Sequence, residues 1–471
     1  MSAAGRDLVL GNAEVGARAV DVVVRGGLVW SVEAAGTVHV PPTSQRIDCG
    51  GGAVLPGLSD HHLHLLALAA GLGSADCGPR AAPDRSALAR VLRAAPVGAD
   101  GWVRGVGHSD RTQGPLDRDV IDALLGDRAG VPVRVQDRSG AFWTLGSAAV
   151  EAVGLAAADH PGIERDRARR PTGRLWRADG WLRQRLPPTP PPDLAPVGRL
   201  LAAHGVTAVT DATAELGADG VRVLAAAAAN GALPQRLQVL GVDRAPAAIG
   251  LGPRKIVLSD HELPTLDDLT CAVAAAHAAG SAVALHCVTG AALLLALAAL
   301  ADAGRVEGDR IEHAAVVPAG VAPLLRGLRV VTQPAFLADR GDDFLDAVEP
   351  DDATCLYPYA SLLAAGVRVA ASSDAPHGPF DPWQILRSAR DRLTASGRVV
   401  VPTERVSVAT ALDGLLSRLD DPGGTPRRVA PGEPADLVLL RTPLAEALHN
   451  PDAGLVAMTL IGGRVVHGGA P

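Results

Sequence analysis

The stretch PGLSDHHLHL, Pro56 to Leu65, decides how the rest of the chain is read. It closes an apolar run, residues 53–60, that reads as a strand. His62 and His64 stand two residues apart at its end. Side chains at i and i+2 share one strand face, so both imidazoles can point the same way and share a metal ion. His61 then points to the opposite face and is a poor ligand candidate. Alone, such a pair is a weak signal, because paired surface histidines are common.

Later strands strengthen it. AVALH ends at His286 and RIEH at His313; VRVAASSD ends at Asp374 and is followed by Ala-Pro-His. Lys255 lies on a further apolar run, 254–258. Each of these imidazoles and the carboxylate falls at the C-terminal end of a predicted strand, and Lys255 is placed near the same rim. Strands predicted over 53–60, 206–211, 236–240, 254–258, 282–287, 310–313, 329–333 and 368–373 are separated by helical segments, among them 269–279, 291–303, 321–327 and 360–366. Eight parallel βα units predict an α/β chain closed as a (β/α)8 TIM barrel, and in such barrels catalytic groups sit at the C-terminal strand ends. A doubly wound open sheet is the structural alternative.

Short strands at both termini, 20–25, 28–32 and 37–40 at one end and 435–440, 455–461 and 464–467 at the other, predict one small β-sandwich domain from residues 1–52 plus 425–471. The barrel then spans 53–424. Too many residues separate the first two barrel strands for one crossover, so 75–195 is read as an insertion over the active-site face, with strands of its own at 102–107 and 131–137.

Composition bounds the function. With 48% hydrophobic and 20% charged residues the chain is globular rather than disordered. A net charge of −7 argues against a nucleic-acid partner. The longest apolar run, 291–301, falls short of the ~20 residues of a membrane span, and the N-terminus lacks the pattern of a secretory signal. Five scattered cysteines form no CxxC pair, so the expected location is the cytoplasm, with reduced thiols. Of 44 basic residues, Lys255 is the only lysine. Either this is an accident of composition or the position needs a primary amine, which can be neutral where arginine stays charged.

On PGLSDHHLH, ALHCV, RIEHA, SSDAP and the closing GEPADLVLL (432–440), the chain resembles the amidohydrolase superfamily of metal-dependent hydrolases. The long segment after the first barrel strand resembles the branch called amidohydrolase family 3, which includes N-substituted formamide deformylases. The resemblance implies two divalent metal ions, with zinc as the expected metal. It implies that His62 and His64 hold the more buried ion and His286 and His313 the second. Lys255 would be carboxylated, an N6-carboxylysine bridging both, and Asp374 would be ligand and general base. Ala141, in SGAFW, stands where many members of the branch carry His, and no Asp-Gly follows Lys255.

The implied reaction is hydrolysis of a non-peptide C–N bond in a small-molecule amide, formamide or cyclic amide. A mononuclear zinc deaminase of an amino-heterocycle is the alternative. Such enzymes carry HxxE after strand five, where this chain has His286, Cys287, Val288 and Thr289. A non-catalytic scaffold is the third class. Candidate substrate contacts, chosen as polar or aromatic residues in loops or near strand ends, are His108, Trp143, Gln333, Tyr357 and His377. Assembly as a homo-oligomer is compatible with this reading.

Overall fold

The computed structural model describes residues 7–39, 44–214, 216–260 and 262–469. The chain is α/β and divides into two compact units. One takes the described residues up to Leu65 and from Leu194 onward; the other is Leu66–Asp193.

In the first unit both chain ends form sheet. Strands Leu8–Val15, Arg18–Arg25, Leu28–Ala34 and Gln45–Asp48 make a four-stranded sheet with Leu8–Val15 between Arg18–Arg25 and Gln45–Asp48. Strands Val54–Pro56, Leu437–Leu440, Val456–Ile461 and Arg464–Gly468 make a second. Leu10, Val22, Val24 and Ile47 from the first meet Leu437, Leu439, Met458 and Leu460 from the second in one buried core. The bonds Gly432 N–H to Val29 O (2.8 Å) and Ala435 N–H to Gly27 O (2.9 Å) tie the two termini together. No strand forms over residues 37–39, and Val40 lies outside the described residues. The edge beside Leu8–Val15 is taken instead by Gln45–Asp48, in parallel.

The run expected as a single strand over 53–60 is two strands in two sheets. Val54–Pro56 pairs antiparallel with Leu437–Leu440, whereas Leu58–Leu63 pairs parallel with Val206–Asp211. The terminal β-structure therefore reaches past residue 52. Gly57 is the joint: a Cβ there would lie 2.1 Å from Thr207 Cγ2, so only glycine fits the crossing.

Parallel strands form two arcs. One runs Leu58–Leu63, Val206–Asp211, Arg236–Val239 and Gly250–Leu251; the other runs Arg254–Val257, Val283–Cys287, Arg310–His313, Arg329–Thr332 and Arg368–Ala371. Pro253, which has no N–H to give, separates Gly250–Leu251 from Arg254–Val257. The outer edges are linked by Asp374 N–H to His62 O and His64 N–H to Ala375 O, both 2.8 Å. This is a TIM-barrel-like arrangement.

The intervening helices bury small and branched residues. Gly290–Ala303, capped by the Thr289 side chain, buries Ala292, Leu293, Ala296, Leu297, Ala299 and Leu300. Leu266–Ala278 is capped likewise by Thr265. The helix expected over 321–327 is only a 3-10 turn, Ala322–Leu325, because Pro323 at its start and Gly327 just beyond leave too few residues for an α-helix.

The second unit carries a six-stranded sheet in the order Ile163–Arg165, Pro171–Trp176, Phe142–Leu145, Val133–Asp137, Val103–His108 and Ala75–Asp76. It begins at Leu66 rather than 75, because the chain passes directly from its strand into the helix Leu65–Leu72. Among the described residues, no helix is long and apolar enough to cross a membrane.

Candidate metal centre

Every residue of Leu58–Leu63 is buried, so side-chain parity sorts its histidines. His61 turns outward, with Nε2 3.2 Å from Gly414 O and 3.0 Å from Ser417 Oγ. Burial pushes its pKa down to about 3, and a neutral ring needs no counter-charge there. His62 and His64 turn to the other side, toward Asp374. Asp374 and His313 both have left-handed backbones, φ +52° and +68°. For a non-glycine residue this conformation is disfavoured by about 1–2 kcal/mol. Such strain gathers where a side chain must be aimed.

One ring nitrogen of each of three histidines is engaged. His62 Nδ1 donates to the Glu312 carboxylate. His64 Nδ1 lies 3.0 Å from Thr213 Oγ1. His313 Nδ1 donates to Gln333 Oε1 at 2.8 Å. The remaining nitrogens of His62 and His64 face Asp374: Nε2 to Oδ1 is 3.6 Å for His62 and 3.1 Å for His64. Asp374 Oδ1 is buried and no hydrogen bond to it is aligned. A carboxylate can only accept, so His62 carries its proton on Nδ1 and presents a lone pair at Nε2. That lone pair and the Asp374 oxygen are then two acceptors facing each other in a buried site. A cation between them resolves the conflict, and the donor set fits one. One ligand atom from each of His62, His64 and Asp374 lies within 4.8 Å of the others, and imidazole with carboxylate suits zinc and similar ions.

Electrostatics favour the same occupant. Burial pushes His62 down to about 3; Lys255 adds to the effect, and Glu312 and Asp374 oppose it. Burial also pushes His286 down to about 2, with His313 and Lys255 adding to it. Both rings are therefore neutral Lewis bases at physiological pH. Burial alone would raise the Asp374 carboxyl, but His62, His64 and His313 outweigh it and hold the group well below the usual range.

His313 extends the cluster, its ring centroid 4.9 Å from His62 and 4.4 Å from His286. Lys255 is 8% exposed and its Nζ has no hydrogen-bond partner. Burial holds its amine below the usual lysine range; Glu312 and Asp374 oppose this and Arg310 reinforces it. Asp260, the obvious partner in sequence, instead accepts from Thr289 Oγ1 at 2.8 Å.

The expected substrate contacts fall differently. Gln333 is fully buried; its Oε1 serves His313 and its Nε2 donates to Ser372 Oγ at 2.9 Å. It orients a histidine and has no group free for a substrate. Tyr357 is 3% exposed and packs against Phe336 and Phe344. Trp143 is 5% exposed in a core of the second unit, and its indole N–H is taken by Asp179 at 2.8 Å. Both are packing residues. His377 is half-buried, its ring 5.5 Å from that of His64, and burial pushes it down to about 4. Of the five, it is the one with its ring against the His62–His64–Asp374 cluster and its surface partly open.

His108, in the second unit, is buried and converges with Asp110 and Asp137. Arg174 already places a guanidinium nitrogen 2.7 Å from Asp110 Oδ2. Ser139 donates to Asp137 through N–H and hydroxyl. Both carboxylates are thus engaged by the chain's own donors, while His108 Nε2 is buried without a hydrogen-bond partner.

Glu312, Arg310 and Thr213 were not singled out from the sequence. The available signal was the glutamate inside RIEH, beside a histidine already chosen.

A family model described as "Amidohydrolase family" matches residues 45–467. N-substituted formamide deformylase of Arthrobacter pascens is 28% identical over 484 aligned residues, covering 86% of this chain and 88% of the relative. An uncharacterized metal-dependent hydrolase from Pyrococcus horikoshii superposes with a TM-score of 0.73 at 17% identity, covering 98% of this chain and 100% of the other. The 5-methylcytosine deaminase of Klebsiella pneumoniae superposes at 0.53 with 13% identity, covering 98% and 97%. These two share the fold. The family match runs from Gln45–Asp48, the last strand of the first terminal sheet, through every strand that carries a site residue, and on that basis the chain is an enzyme of the amidohydrolase family.

Proposed function

We propose that the protein hydrolyses a non-peptide C–N bond, with N-substituted formamides as the leading substrate class and other amides and cyclic amides behind them. The observation that carries this reading is the pair of facing acceptors, His62 Nε2 and Asp374 Oδ1, in a buried site. The substrate class is supported by the deformylase relative, aligned over most of both chains.

In this reading the two parallel arcs are one (β/α)8 barrel, and the terminal sheets are a small sandwich beside it. His62, His64 and Asp374 would hold one divalent ion and His286 and His313 a second, with Lys255, if carboxylated on Nζ, as a further anionic ligand. Zinc is the expected metal. When bound, the ions supply the Lewis acidity that acidifies water and polarises the substrate carbonyl. Asp374 would serve the site as ligand and general base, taking up the proton of the attacking water. The same carboxylate would then pass that proton to the departing amine. Thr213, Glu312 and Gln333 keep the imidazoles aimed. His377, beside His64, contacts the substrate from the rim.

The test is metal-free protein reconstituted with Zn2+ and assayed on a panel of formamides, N-acyl amines and cyclic amides, with elemental analysis alongside. The expected result is about two ions per chain and turnover concentrated in the formamides. A chain that binds no metal, or binds it and turns over no amide, overturns the reading; a single ion with release of ammonia from amino-heterocycles would mean a deaminase.

A further inference from the structure

Beneath the candidate centre lies a chain of buried charge. Arg310 is 1% exposed, Glu312 0% and His62 1%. Arg310 Nε donates to Glu312 Oε1 at 2.5 Å, and Arg310 Nη2 reaches His61 O at 3.4 Å. The other carboxylate oxygen, Glu312 Oε2, accepts from His62 Nδ1. Arg310 and Glu312 are two residues apart on Arg310–His313 and share a strand face. Interiors of parallel barrels are ordinarily filled by branched aliphatic side chains. A buried ion pair is weak evidence for stability, since a well-packed apolar pair is often as stable or more so. The pair therefore calls for another role, and its contact with His62 supplies one.

We infer that Glu312, anchored by Arg310, is a positioning residue that fixes the proton of His62 on Nδ1 and so sets the affinity of the site for its metal. The inference rests on the reading of His62 as a ligand. A carboxylate accepting from the far nitrogen of a ligating histidine fixes its tautomer and ring orientation and raises its basicity. Arg310 holds that carboxylate by one oxygen, so the other stays aimed at the ring.

The experiment measures zinc affinity of metal-free protein by chelator competition, and the thermal midpoint of the same metal-free protein. It compares wild type, Glu312→Gln, Arg310→Met with Glu312→Leu, and His62→Ala. Glu312→Gln should weaken zinc roughly 10–100-fold with little change in midpoint. The double variant removes the charge pair and leaves the His62 N–H without its acceptor, so it should still fold, with a midpoint close to wild type, and bind zinc more weakly. A purely structural pair predicts the reverse: a lower midpoint and unchanged affinity in whatever folds. Wild-type zinc affinity in the double variant overturns the inference while leaving the metal site intact. Wild-type affinity in His62→Ala overturns the ligand assignment itself, and this inference with it.

Discussion

Gln333 Oε1 accepts from His313 Nδ1 at 2.8 Å while Gln333 Nε2 donates to Ser372 Oγ at 2.9 Å. The amide is thereby held in one orientation, and the imidazole keeps its proton on Nδ1, leaving Nε2 as the nitrogen with a free lone pair. Gln333→Leu keeps the volume close and removes the acceptor. Metal affinity and kcat should fall about 10–100-fold, with KM for the best amide substrate unchanged. A raised KM with normal kcat and metal content would return Gln333 to the substrate pocket.

Asp374 and His62 should separate in their effects. Asp374→Asn preserves shape and removes the base, and loss of such a group costs about 10²–10⁴ in rate. His62→Ala removes a ligand, so zinc content per chain should drop along with activity. Elemental analysis and steady-state rates on the same preparations decide it. Normal zinc content in His62→Ala would remove that residue from the centre.

The strand-end groups were legible because each predicted strand is an apolar run that stops at a histidine or an aspartate. Glu312 was not, for a reason of parity. Neighbours on a regular strand face opposite ways, so in RIEH one must choose between Glu312 and His313. The structure uses both: Glu312 projects from the strand to His62, and His313, at φ +68°, departs from extended geometry and turns its ring to the same side. The change of sheet at Gly57 was hidden similarly, because an apolar run carries no mark of which partner strand it meets. It shows only in Thr207, far away in the chain, crowding the glycine. Gln333, at the end of the predicted strand 329–333, reads as a substrate contact because nothing local reports that His313 and Ser372 close over it.

Stability should depend on Arg392. It is 1% exposed, and its Nε, Nη1 and Nη2 donate to Val400 O, Tyr357 O and Leu356 O at 2.8, 2.9 and 2.7 Å. Arg392→Met would leave three carbonyls without that donor. Hydrogen bonds to charged groups contribute about 1.5–3 kcal/mol each and unsatisfied buried groups are costly, so a loss of about 3–5 kcal/mol is expected. Urea denaturation followed by far-UV circular dichroism should show the midpoint falling clearly. An unmoved midpoint would mean that water replaces the guanidinium at little cost.

Lys255 gives the sharpest division between readings. Its Nζ is buried without a hydrogen-bond partner, and burial favours the neutral amine, the form that attacks carbon dioxide. A carbamate there would turn a buried cation into an anionic ligand among His62, His286 and His313. If instead Lys255 is only a buried counter-charge for Glu312 and Asp374, arginine should preserve the charge. Arginine cannot lose its proton in a protein, so Lys255→Arg cannot form the carbamate. Under the carbamate reading this variant should lose binuclear metal binding and activity. Lys255→Ala should lose both as well, but regain part of its activity when a short-chain carboxylic acid is supplied to fill the gap. The deciding measurement is zinc per chain in Lys255→Arg. Wild-type stoichiometry with intact turnover would leave the lysine as a counter-charge and end the bridging role.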